Sequence, residues 1–144
     1  MRALPLAVLA FVGCVCASAA EARDLLLQYS VAEVLASSEF KEKVGGDVTF
    51  YFGNQPTPPV VEKFGEYRSE RSTNAFGKAD EASCRRAVLS ALIQFHQRAV
   101  SLGGNAVINM TSFSGLTDDD TYECRAGGFV TRVLLRGTVV KLGR

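Results

Sequence analysis

The segment that most constrains the fold is Asp80–Leu102, which reads as one long helix. Cys84, Val88, Ala91, Phe95, Ala99 and Leu102 recur at helical spacing and form a single apolar stripe. Leu89, Leu92, Ile93 and Val100 widen that stripe, and Arg86, Ser90, Gln94, Gln97 and Ser101 are confined to a narrow polar sector. Asp80 is the expected N-cap, Glu81 suits the positive end of the helix dipole, and Gly103-Gly104 supplies a left-handed stop. A helix this apolar needs cover on two sides. A sheet is expected on one; the other falls to residues 31–44, an N-terminal segment or a second subunit.

The remaining patterns supply that sheet. Residues 23–30 are short and apolar enough for a first strand, and 47–52 alternate Val48, Phe50 and Phe52 against Thr49 and Tyr51. Three prolines in 53–59 break the chain. Residues 60–73 resume an extended pattern whose charges (Glu62, Lys63, Glu66, Arg68, Glu70, Arg71) are the ordinary protection of an edge strand. Residues 105–113 form a strand with Ala106, Ile108 and Met110 on one face. Residues 122–142 are strand-rich, with Phe129, Val133 and Leu135 facing one way and Arg132 and Arg136 the other. Gly127-Gly128 and Gly137 are expected to mark bulges or bends. Residues 31–44 carry a looser helical spacing that ends at Gly45-Gly46. The expected fold class is α+β: a mainly antiparallel sheet packed against one long helix, Asp80–Leu102, with a smaller N-terminal helix.

The amino terminus reads as an export signal. Met1-Arg2 gives a positive start, and residues 3–12 form an apolar run well short of the roughly 20 residues that span a bilayer. The small residues Ala17, Ser18, Ala19, Ala20 and Ala22 place the cut after residue 19, 20 or 22. The expected organisation is a signal peptide over 1–20 and a single domain over 21–144, periplasmic or secreted, with no transmembrane helix in the mature chain. Phe11-Val12-Gly13-Cys14 also has the form of a lipobox, so the alternative is a lipoprotein anchored through Cys14.

Of the four cysteines, Cys14 and Cys16 belong to that leader, which leaves Cys84 and Cys124. In an oxidising compartment such a pair is expected to bridge, with two free thiols as the alternative. Other chemistry is sparse. His96 is the sole histidine, and no cysteine or second histidine stands at a metal-ligand spacing from it. Asp118-Asp119-Asp120 lacks the spaced ligands and central glycine of a calcium loop. No Cys-x-x-Cys, phosphate-binding glycine loop or G-x-S-x-G surrounds Cys84, Gly103 or Ser83, Ser90 and Ser101. Asn109-Met110-Thr111 matches a glycosylation sequon by chance of composition in a strand. With 16 basic and 15 acidic residues, the charge balance favours neither nucleic acid nor an anionic membrane surface. No catalytic, cofactor-binding or metal residue is therefore assigned.

Ser83-Cys84, the long helix, the run Gly103-Gly104-Asn105-Ala106-Val107 and the later Tyr122-Glu123-Cys124-Arg125-Ala126-Gly127 carry a resemblance. They resemble a family of small exported bacterial proteins of unknown function often labelled excinuclease ATPase subunits. That label has no counterpart in a chain without a phosphate-binding loop. More distantly, the C-terminal half is similar to the Rcs envelope-stress sensor lipoprotein, and its glycine-asparagine strand to the ring-forming YbjQ-like proteins. The resemblance implies a Cys84–Cys124 bridge and a non-enzymatic envelope protein that binds a partner, self-associates or senses envelope state. The alternative is a small-ligand or metal-binding periplasmic protein, redox-active at its cysteines.

Overall fold

The computed structural model describes residues 23–115 and 120–144. The expected leader with Cys14, Cys16 and its cut positions lies outside the described residues, as do Asp118 and Asp119. Nine elements follow in order: β1 (Asp24–Ser30), α1 (Val31–Ala36), α2 (Ser38–Lys43), β2 (Thr49–Phe52), β3 (Val60–Asn74), α3 (Asp80–Leu102), β4 (Ala106–Thr111), β5 (Thr121–Gly127) and β6 (Val130–Leu142). They build the expected α+β fold, a curled six-stranded sheet packed on α3. The strand order is β1-β5-β6-β4-β2, and β3 pairs β6 off that path. All pairings are antiparallel except β2 with β4.

β6 organises the sheet. β3 runs along its whole length, from Asn74 opposite Val130 to Val60 opposite Leu142. Its other edge is shared, with β5 at Arg132 and β4 from Arg136 to Val140. β1 extends the first half-sheet and β2 the second. β3 is thus an edge strand, as its charges foretold, and Gly65 (φ 126°) sits at one of its two irregularities.

The core sits between this sheet and the stripe of α3. Cys84, Val88, Ala91, Phe95 and Ala99 are buried there with Phe50, Phe52, Val107, Met110, Val133, Leu135 and Val139. Val31, Val34, Phe40 and Val44 join the same cluster, so the curl of the sheet and the 31–44 segment together supply the second cover. Val100 remains half exposed. A smaller cluster of Ala106, Ile108, Val140 and Leu142, edged by Tyr51, lies apart from it. Among the described residues no helix is long and apolar enough to cross a membrane.

Several details depart from the sequence reading, each for a local reason. The 31–44 helix is two short helices. Ser37 interrupts them in an extended conformation, its hydroxyl donating to the Val34 carbonyl and accepting from the Phe40 N–H. A serine that satisfies both ends in this way competes with a continuous helix. Ala79, not Asp80, occupies the N-cap of α3; Asp80 is the first helical residue and pairs with Arg23. Met110 does not share a face with Ala106 and Ile108. Asn109 adopts φ 53° and the register slips between Ile108 and Thr111, which turns Met110 to the core beside Val107. Gly137 is not itself a bend. It lies opposite that bulge, where a Cβ would meet Val107 Cγ1 at 2.7 Å and Met110 Cγ at 3.0 Å. Phe129 stands in the β5–β6 turn, exposed, rather than inward with Val133 and Leu135.

Candidate functional site

Cys84 and Cys124 form the expected disulfide, with Cα atoms 5.9 Å apart and both residues wholly buried. Cys124 lies in the middle of β5, so the bond ties the first turns of α3 to the penultimate strand. A sulfur pair without solvent access is suited to holding structure, not to thiol exchange. Beside it Tyr122 packs against Tyr29, and burial pushes the Tyr122 phenol up.

His96 meets Asp47, its Nε2 donating to the carboxylate at 2.8 Å. That hydrogen bond is the main cause holding the Asp47 carboxyl below its usual range. The folded value lies below the unfolded one, so the bridge stabilises above the unfolded carboxylate pKa and its contribution fades as pH falls through the lowered value. It tethers α3 to the α2–β2 turn. Among the described residues no three His, Cys, Asp or Glu side chains gather as a metal set. Asp120 uses its carbonyl to accept from the Val31 N–H.

The sheet face away from α3 carries a charge ladder. Arg125 stands opposite Arg132, and Arg136 opposite Arg68. Like charges in cross-strand register repel, and acids relieve them: Glu70 bonds Arg68 at 2.7 Å and reaches Arg132 at 3.4 Å, and Asp24 reaches Arg125 at 3.3 Å. Arg125 also lies 5.2 Å over the ring of Phe113. The buried Glu123 accepts from the Ser114 N–H.

The distinctive surface is at one end of the sheet, where β3 gives way to α3 and β5 turns into β6. Two built turns converge there. The Asn74 side chain accepts from the Phe76 N–H, Gly77 adopts φ 68°, and the Lys78 N–H donates to the Ala75 carbonyl. The Ala75 N–H donates to the Phe129 carbonyl at 2.8 Å and locks this turn to the hairpin. In the hairpin a Cβ on Gly127 would come within 2.6 Å of the Val130 carbonyl, so only glycine fits. The two turns project Phe76 and Phe129 outward, with ring planes 2° from parallel and centroids 5.6 Å apart. They are 68% and 73% exposed. Val130 is exposed beside them, and Ser72, Thr73 and Asn74 complete the lining of a shallow hollow. Leu25 and Leu26 are exposed on β1, which starts at this end with Asp24 opposite Gly127. Among the described residues, three of the eight exposed large apolar side chains thus line this hollow, and Leu25 and Leu26 stand on opposite faces of β1 near the same end of the sheet. Arg23, Asp24, Arg125 and Arg132 line its flank.

The cysteine pair is legible in the sequence, and this tip is not. Simple alternation puts Phe129 on the face of Val133 and Leu135, and no periodic pattern runs through the segment that holds Phe76. The available signal was an aromatic set inside each of two glycine-bearing turns, Asn74-Ala75-Phe76-Gly77 and Gly127-Gly128-Phe129. Such turns expose what they carry. Comparison with protein-family models, curated proteins and solved structures returned no match for this chain.

Proposed function

We propose that this chain is an exported, non-enzymatic protein of the cell envelope that binds a partner, or senses envelope state, through the Phe76–Phe129 tip. The observation that carries the reading is the exposed, stacked aromatic pair held on two hydrogen-bonded turns. Large apolar side chains presented rigidly lose little conformational entropy on binding, and exposed clusters of them mark interaction sites on soluble proteins. The leader-like amino terminus and the Cys84–Cys124 bond support export, since such bonds persist in oxidising compartments. The resemblance to exported proteins and to an envelope sensor points the same way. The alternative, a small-ligand or metal protein with redox-active cysteines, is weakened by the complete burial of both sulfurs.

Two measurements test the proposal. Intact mass of material recovered from the periplasm, with and without reductant, reads leader removal, acylation and the disulfide together. Sedimentation with washed envelope fragments reads binding: wild type is retained, and a Phe76→Ser, Phe129→Ser double variant is released. Equal retention of the two proteins, or recovery of a cytoplasmic chain with its leader and two free thiols, would overturn the reading.

A further inference from the structure

We infer that the partner of the Phe76–Phe129 tip is a phospholipid bilayer, into whose headgroup region the tip inserts. The inference rests on the reading of that tip as the binding surface of an envelope protein, and it adds what the tip binds. Three observations carry it. The first is the asymmetry of the surface: Phe76, Phe129, Val130, Leu25 and Leu26 share one end of the molecule, with Val60 and Val61 at the far end of the β3–β6 pair. Two stacked aromatic rings beside Val130, with Leu25 and Leu26 flanking them on the two faces of β1, suit insertion below the headgroups, where aromatic side chains partition well.

The second is the course of the chain. The described residues begin at Arg23, and Arg23 is at the tip: its carbonyl lies 3.4 Å from where a Gly127 Cβ would stand, and its guanidinium pairs with Asp80. The 22 residues that precede it therefore enter the fold at the apolar end. Arg23 is nine positions after Cys14, and an extended chain of that length spans at most about 30 Å. An acyl group on Cys14 would hold this end, and no other, against the membrane. A cut after residue 19, 20 or 22 would leave the free amino group at the same end, within reach of lipid phosphates.

The third is the charge pattern of the rim. Arg23, Arg125, Arg132 and Lys78 surround the apolar end, and Asp80, Asp24 and Glu70 pair the three arginines. A balanced rim does not need a strongly anionic surface; it suits headgroups that carry phosphate and ammonium together. Long basic side chains can lay their stems along the apolar end and keep their charge at the phosphate level. Binding should thus depend on the apolar residues more than on salt.

The chain contains no tryptophan, which makes the test direct. In the disulfide-bonded protein, Phe129→Trp places one reporter at the apex and Val61→Trp one at the opposite end. With vesicles of phosphatidylethanolamine and phosphatidylglycerol, the Phe129→Trp emission should shift to the blue and the Val61→Trp emission should stay. In flotation, Phe76→Ser with Phe129→Ser should weaken association about tenfold or more, because binding follows buried apolar area. Phe76→Leu with Phe129→Leu, which keeps the apolar volume, should float like wild type. Raising the salt should change association only a few-fold. All these side chains are exposed, so unchanged thermal unfolding confirms that the variants are folded. An unshifted Phe129→Trp, a shifted Val61→Trp, or flotation unaffected by the serine pair overturns the inference. Retention on washed envelopes without binding to lipid vesicles assigns the tip to a protein instead; that outcome sinks the bilayer and leaves the broader reading standing. Binding to neither sinks both.

Discussion

Two hydroxyls inside the core show how much a single residue can owe to a distant one. Ser83 and Thr131 are buried, their oxygens 3.0 Å apart, and the Ser83 hydroxyl also donates to the Asp80 carbonyl. A hydroxyl has one proton, so Thr131 is the donor to Ser83. Ser83→Ala leaves that donor stranded in the core, and urea unfolding should register a loss of about 1–3 kcal/mol. Adding Thr131→Val should recover much of it; a double variant as unstable as the single would show that the pair contributes in some other way. Nothing near Ser83 in sequence announces this partner, 48 positions away. The run Gly103-Gly104-Asn105-Ala106-Val107 is the opposite case, since each residue has a visible task. Gly103 ends α3 at φ 80°, and Gly104 lies where a Cβ would be 2.9 Å from the Val140 carbonyl. The Asn105 side chain both donates to the Leu142 carbonyl and accepts from its N–H, continuing the β4–β6 ladder by one rung. Ala106 and Val107 are fully buried on opposite faces.

At the level of elements, the long helix, the proline break, the edge position of β3 and the strand at Thr49–Phe52 were legible because each rests on local pattern. The face of Met110 was not, because strict alternation fails wherever a bulge adds a residue. Asn109 and Met110 together oppose Gly137, which has no side chain to contest the space. Gly137→Ala should therefore cost about 1–3 kcal/mol by crowding Val107 and Met110. The closest contact is with Val107 Cγ1, so in a Val107→Ala background Gly137→Ala should cost less than it does in the wild type. Denaturant midpoints of the single and double variants check both, and a neutral Gly137→Ala would mean the bulge moves freely. The aromatic tip escaped for a related reason. Its two phenylalanines stand in separate turns, and only the pairing of Asn74 with Val130 brings those turns together.

For the molecule as a whole, the Cys84–Cys124 bond closes a 40-residue span that contains most of α3, all of β4 and the segment leading into β5. The chain-entropy model values such a closure at about 4 kcal/mol. A Cys84→Ala, Cys124→Ala variant should lose roughly that much in urea, out of the 5–15 kcal/mol typical of a domain. A loss under about 1 kcal/mol would place residual order in the unfolded chain over this span. The sheet itself sets a further condition through β6. β3, β4 and β5 all pair with this one strand, and it follows all of them in the chain. During synthesis β3, β4 and β5 emerge before the strand they must join, so the sheet cannot close until β6 has been made. A chain stopped short of β6 would leave β3 without a partner and the β1–β5 and β2–β4 halves unjoined, so this one strand is the keystone of the whole sheet.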